Sequence, residues 1–160
     1  MSGTGGQGII LAGIILAEAA VLDNKNAVQS QSYGPEARGG ASKSEVIISS
    51  EEILYPKVKK PDIFLALSQE ACDKYINGVK EDSTIILDSS INIGQYDIKS
   101  KNLIVVPILE TAFDRLKKAM VANIVALGAI AGFTSVVSRE SLKSAVLERV
   151  PSGTEDLNRR

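Results

Sequence analysis

The chain has 160 residues, 44 % of them hydrophobic and five of them proline, with 18 basic against 19 acidic side chains for a formal net charge of −1. Those figures describe a single folded domain with a substantial core, residues 1–160, and leave no global field to draw nucleic acid or an anionic membrane. There is no histidine and only one cysteine, Cys72, which excludes a Ser-His-Asp triad, a Cys-His dyad, a Cys/His zinc site, an intramolecular disulfide and an iron–sulfur cluster held by this chain's own thiolates.

Taken in chain order, the opening residues MSGTGGQG carry no basic n-region of a signal peptide, and with the lone cysteine this reads as a cytoplasmic protein. Gly8 to Leu22 is predicted helical, apolar nearly all round, with Glu18 its only charge, and is broken by Asp23-Asn24-Lys25-Asn26. A short extended run, Ala27 to Gln31, leads to a glycine-rich loop, Ser32 to Gly40, and Ser42 to Ser49 alternates as a strand does. After a Pro/Lys-rich loop around Pro56 to Pro61, whose lysines Lys57, Lys59 and Lys60 read as a solvated patch, Ile63 to Leu67 is a buried strand. Ser68 supplies the N-cap of a short helix that Asn77-Gly78 ends. Thr84 to Leu87 and Leu103 to Val106 are two more buried strands. An apolar helix spans Met120 to Phe133, too short to cross a membrane, and an amphipathic one spans Arg139 to Arg149 between an N-cap at Ser138 and a stop at Pro151. The alternation predicts an α/β domain, a Rossmann-like and mainly parallel sheet with helices on both faces.

Gly3-Thr4-Gly5-Gly6-Gln7-Gly8 fits G-x-G-x-x-G and opens onto the first helix. Such a loop suits a phosphate, since free N–H groups and the helix dipole both favour an anion there. Two companions of a dinucleotide site are missing: only Met1 and Ser2 precede the loop where a strand belongs, and no Asp or Glu ends the second extended run. Close helix–sheet packing is the alternative use of these glycines. In the second loop, Arg38 has the planar fork that grips phosphate or carboxylate, Tyr33 can stack, and Gly39-Gly40 lets backbone approach a ligand; a plain turn with Glu36 paired to Arg38 is the competing reading. Asn123 needs a hydrogen-bond partner if buried, and Gly128 and Gly132 are expected in intrachain packing.

Both loops together carry a resemblance. Gly3 to Gly8 followed by Leu11-Ala12-Gly13, then Ser32-Tyr33-Gly34-Pro35-Glu36-Ala37-Arg38-Gly39-Gly40, are similar to the gamma part of the 2-oxoacid:acceptor oxidoreductases. Val46-Ile47-Ile48-Ser49, Tyr55-Pro56-Lys57-Val58, Pro61-Asp62-Ile63, Leu67-Ser68-Gln69 and Asn123 to Gly128 continue the match in order. The resemblance implies a gamma subunit working with alpha, beta and delta chains in the CoA-dependent oxidative decarboxylation of a 2-oxoacid, 2-oxoglutarate above all. It places thiamine diphosphate, magnesium and iron–sulfur clusters in the partner chains, with electrons leaving to ferredoxin or flavodoxin. It further implies that Gly3, Gly5, Gly6, Gln7 and Gly8 cradle the phosphates of coenzyme A, with Tyr33, Gly34, Glu36, Arg38, Gly39 and Gly40 lining the approach or the contact with catalytic chains. No catalytic acid, base or nucleophile is assigned. A stand-alone nucleotide-binding module and a purely structural subunit are the alternatives.

Overall fold

Only three residues, Ser2–Thr4, form the first strand (β1), and neighbours on both sides hold it in place. Ser2 Oγ donates to the Leu65 carbonyl at 3.1 Å and Ser42 Oγ to the Gly3 carbonyl at 3.2 Å, while Leu67 N–H reaches the Ser2 carbonyl at 3.0 Å. The expectation that no strand precedes the glycine loop is corrected here: the strand runs into the loop, and Gly3 belongs to it. Nothing apolar marks it, because its stability comes from pairing across the sheet rather than from its own side chains. The computed structural model describes residues 1–32, 40–115, 121–151 and 153–159.

From β1 the chain enters α1 (Ile9–Leu22), then a long antiparallel hairpin, β2 (Asn26–Ser32) and β3 (Ala41–Ser49). There follow β4 (Ile63–Ala66), α2 (Gln69–Tyr75), β5 (Thr84–Asp88) and β6 (Asn102–Val106). The strand order is β2-β3-β1-β4-β5-β6. β1, β4, β5 and β6 run parallel, and the hairpin is added antiparallel beside β1, in register from Asn26↔Ser49 to Ser32↔Lys43. Past β6 come a single turn, α3 (Ile108–Glu110), a π-helical stretch over Thr111–Arg115, then α4 (Ala122–Thr134), α5 (Arg139–Arg149) and α6 (Glu155–Arg159). Met120, the predicted start of the apolar helix that corresponds to α4, lies outside the described residues. No described helix is long and apolar enough to cross a membrane.

The uninterrupted apolar run of β4 is explained by two faces. Leu65 and Leu67 join Ile86 beneath α1, α4 and α5, whereas Phe64 and Ala66 join Ile85, Leu87, Cys72 and Ile76 on the α2 side. The charge-poor α1 lies between the β2–β3 part of the sheet and α5, with α4 beside it, so Ala12, Ile15, Ala19 and Ala20 are all fully buried. Leu11, Val21 and Leu22 stay exposed.

Two details set the helix positions. Gly13 lets α1 press onto β3: a Cβ there would collide with Ser44 Oγ and lie 2.9 Å from Ser44 Cβ. Gly128 and Gly132 do no such packing, because a Cβ at either would meet nothing within 4 Å. At the far end of α1, Asp23 accepts bonds from Ser138 N–H at 2.6 Å, Ser138 Oγ at 2.7 Å and Ser141 Oγ at 2.6 Å. Those bonds hold its carboxyl below the usual range, with the Ser141 hydroxyl the largest influence, and they tie the end of α1 to the start of α5.

Candidate functional site

In an open α/β sheet, ligands settle outside the carboxyl ends of the parallel strands, where the strand order reverses. Here the chain leaves β1 toward β2 and β3 and later crosses to β4 on the other side. The reversal therefore lies between the loop Thr4–Gly8 and the segment Leu67-Ser68-Gln69. Antiparallel pairing of β3 with both β1 and β2 also brings the ends of the second loop, Ser32 and Gly40, to this edge.

The glycine loop is a tight turn with a defined interior. Gln7 N–H donates to the Thr4 carbonyl at 3.1 Å, and Thr4 N–H donates to Gln7 Oε1 at 2.7 Å. Gln7 thus folds back as a brace and does not point outward as a ligand group. Its packing leaves no room at Gly3, where a Cβ would collide with Gln7 Oε1 and sit 3.0 Å from Ile9 Cγ1. Gly6 has φ +95° and open space where a Cβ would stand; Gly8 has φ +73° and is the N-cap of α1. Left-handed backbone at two positions in one turn selects glycine. Gly5 N–H donates to the Gly40 carbonyl at 3.2 Å, so the two glycine-rich loops touch. Of the predicted site residues, Gly3, Gly5, Gly6, Gln7, Gly8 and Gly40 are brought together; Tyr33, Gly34, Glu36, Arg38 and Gly39 lie outside the described residues.

The start of α1 is electrostatically bare. A left-handed glycine caps it, no side chain bonds its first-turn N–H groups, and its first turn holds no acidic residue. α4 begins beside it, with no side-chain bond from its cap Val121 and no acid in its first turn, and with Ile124 N–H held by Asn123 Oδ1. The first-turn N–H groups of α1 and the positive end of its dipole therefore face this loop, with the start of α4 adjoining Gly8 through Asn123.

Sequence reasoning did not give a place in the site to three residues that the structure brings to this edge. Asn123, 4 % exposed, donates from Nδ2 to the Gly8 carbonyl at 3.4 Å, and its Oδ1 accepts from Ile124 N–H at 3.0 Å. Glu70 Oε1 accepts from Ala41 N–H at 3.1 Å, fixing the β3 side of the second loop. The buried Asp88 accepts from Ser90 N–H and Leu109 N–H, both at 2.9 Å, and from Ser90 Oγ at 2.5 Å, and so holds the turn after β6. A lone amide in an apolar helix was the one visible signal among the three.

Cys72 is buried beside Tyr96, and burial pushes its thiol up despite the Tyr96 hydroxyl, which draws it down. A raised, inaccessible thiol is no nucleophile. No group of three or more His, Cys, Asp or Glu side chains among the described residues could hold a metal ion. A cleft of about 990 Å³ opens at the opposite edge of the sheet between β3 and β4, and its lining includes Lys43, Lys57, Lys59, Lys60, Lys74 and Lys80. It does not reach the glycine loop.

Comparison with known proteins bears on this arrangement. The family model described as pyruvate ferredoxin/flavodoxin oxidoreductase matches residues 1–160. The 2-oxoglutarate synthase subunit KorC of Methanocaldococcus jannaschii is 52 % identical, over 99 % of this chain and 86 % of that protein. The ketoisovalerate oxidoreductase subunit VorA of Methanothermobacter thermautotrophicus is 34 % identical over 91 % of this chain but only 30 % of its own length. Among solved structures, the gamma subunit of the keto/oxoacid ferredoxin oxidoreductase of Geobacter sulfurreducens superposes with a TM-score of 0.89 at 50 % identity, covering 99 % of this chain and 87 % of that one.

Proposed function

We propose, for a chain that belongs to the pyruvate ferredoxin/flavodoxin oxidoreductase family as a gamma subunit of a 2-oxoacid:ferredoxin oxidoreductase, that its glycine loop holds the phosphates of coenzyme A while partner chains perform the redox chemistry. The observation that carries this reading is the carboxyl edge itself. Two left-handed glycines and an uncapped helix start present backbone N–H groups, and the first turn of α1 carries no acidic side chain. Gly6 is open on the side where a Cβ would stand, so backbone can come close to a phosphate there. Arg38, in the sequence that leads to Gly40, has the planar guanidinium suited to a bidentate grip on a phosphate.

On this reading residues 1–160 form one gamma-type domain of a cytoplasmic complex with alpha, beta and delta chains. The substrate is 2-oxoglutarate, in keeping with the KorC relatives, and the product succinyl-CoA. Iron–sulfur clusters held by partner chains would supply the path for the two electrons to ferredoxin or flavodoxin. Thiamine diphosphate with magnesium, held by partners, supplies the decarboxylation chemistry. This chain's own residues orient the co-substrate and do not exchange protons with it.

The test is Arg38→Ala in the assembled complex. A CoA KM raised roughly tenfold with the 2-oxoglutarate KM unchanged is expected, the loss of one charge-assisted contact. An unchanged CoA KM with intact assembly would instead make the chain a structural clamp. Release of the chain as an active dinucleotide binder, independent of any partner, would favour a stand-alone module.

A further inference from the structure

We infer that Asn123 is a positioning residue for co-substrate binding: it locks the N-cap of α1 to the start of α4 and thereby sets the glycine loop in its anion-accepting shape. The inference rests on the reading that this loop holds coenzyme A.

The geometry is specific. Asn123 is the second residue of a 13-residue helix with no charged side chain, and it is 4 % exposed. A buried amide in such surroundings is retained only if its donors and acceptor are used. Nδ2 donates to the Gly8 carbonyl, which also accepts Ala12 N–H at 2.9 Å as the first bond of α1. Oδ1 accepts Ile124 N–H, one of the donors that a helix start leaves unpaired. One side chain therefore spans two helix starts. It also packs flush against the loop, since a Cβ at Gly8 would stand 2.7 Å from Nδ2 and 3.0 Å from Cγ. Gly8 is left-handed at φ +73°, a conformation glycine adopts freely but is equally free to leave, so contacts such as that with Asn123 are what fix it. Removing the amide frees the Gly8 carbonyl and opens a gap beside the turn. The N–H groups of the first turn of α1 then lose their fixed aim, and a co-substrate must pay for ordering them on binding.

The role differs from ordinary core packing in what it predicts. Asn123→Ala weakens co-substrate binding without touching the 2-oxoacid site. Asn123→Asp keeps the shape and the Oδ1 acceptor but turns the donor into an acceptor and sets a negative charge beside the bare start of α1, so it harms anion binding more than alanine does although it fits the space better.

The experiment uses the assembled complex carrying Asn123→Ala, Asn123→Asp or Asn123→Ser, the last retaining a short hydroxyl donor should the alanine variant fail to assemble, with Arg38→Ala as the reference. Steady-state KM values are measured for CoA and for 2-oxoglutarate. Expected are CoA KM increases of about fivefold for alanine and several-fold more for aspartate, with serine mildest and the 2-oxoglutarate KM within about twofold of the parent in every case. A CoA KM raised by Arg38→Ala but unmoved in the assembled Asn123 variants overturns the positioning role and leaves the loop reading standing. A CoA KM unmoved in all of them removes the loop reading and this inference with it. Equal rises in both KM values, with aspartate no worse than alanine, mark a structural residue and also overturn the inference.

Discussion

Replacing Gly13 by alanine isolates the contact that seats α1 on the sheet. A Cβ at this position would overlap Ser44 Oγ and lie 2.9 Å from Ser44 Cβ and 3.4 Å from Gln29 Cγ. Ser44 can turn its hydroxyl aside, at the cost of the bond that Oγ accepts from Gln29 Nε2 at 3.0 Å. Its Cβ cannot move, because Ser44 is fully buried and its backbone is bonded on the β1 side, N–H to the Met1 carbonyl at 2.9 Å. Helix and strand must therefore separate by several tenths of an ångström over their contact. Overpacking of this kind costs ~1–3 kcal/mol, the lost hydrogen bond ~1 kcal/mol, and the better helix propensity of alanine returns ~1 kcal/mol. The balance is a loss of about 1–3 kcal/mol, a fall of roughly 1 M in the urea midpoint at unchanged m-value. Equilibrium urea unfolding followed by far-UV circular dichroism measures it. Ser44→Gly in the same chain relieves both close approaches, and the double-mutant cycle should return a favourable coupling above ~1 kcal/mol. A Gly13→Ala midpoint equal to or above that of the parent, the outcome of helix propensity acting alone, would refute the reasoning.

Two further outcomes follow from other parts of the fold. Asp23→Ala removes the acceptor of three bonds that join α1 to the cap of α5, and should cost ~1–2 kcal/mol in the same unfolding assay. Because those bonds hold the Asp23 carboxyl below its ordinary value of 3.8, the unfolded chain binds the proton more readily; the contribution is fully present above about pH 4 and is lost as the pH falls through the lower folded value, so the alanine variant should lose less stability than the parent between pH 5 and pH 3. Cys72, buried and with its thiol raised mainly by desolvation, should react with a thiol reagent at the rate of unfolding, with the rate rising in parallel with urea; immediate labelling of the native chain would contradict its placement.

Much of the architecture was legible because it follows from local pattern. The runs Ile63 to Leu67 and Thr84 to Leu87 contain almost nothing polar and proved to be strands covered on both faces. Ser68 and Ser138 cap their helices through Ala71 N–H and Ser141 N–H as their positions suggested. What escaped were features set by distant neighbours. β1 has no apolar signature and exists because β3 and β4 flank it. The antiparallel setting of the β2–β3 hairpin cannot be read from strand composition, yet it carries Gly40 to Gly5. The packing roles of the helix glycines were likewise invisible: Gly13 proved critical to a contact, whereas Gly128 and Gly132 face open space. At the site, the motif gave the loop but not the function of Gln7, whose side chain turns inward to brace Thr4. Glu70 and Asp88, unremarkable in sequence, hold the surrounding turns through backbone N–H groups.

These carboxylates decide what the edge can do. Glu70 gives Oε1 to Ala41 N–H, and the buried Asp88 accepts from Ser90 N–H, Ser90 Oγ and Leu109 N–H, so both carboxylates at this edge are engaged in holding turns. Among the described residues the glycine loop itself offers backbone N–H groups, with the Gln7 amide turned inward, and such groups bind an anion at any pH near neutrality and have no proton to trade. A site of that composition can lower the barrier of a reaction only by fixing where its ligand lies. Positioning alone is worth up to ~7–11 kcal/mol when the reacting partner is equally well placed, and that partner has to come from another chain, since this one has no histidine and a single buried cysteine. The gamma subunit's influence on rate should thus be all or nothing with respect to assembly: in the intact complex, loop variants shift the CoA requirement and leave the maximal rate at saturating CoA near that of the parent, whereas loss of the subunit removes acyl transfer to CoA altogether.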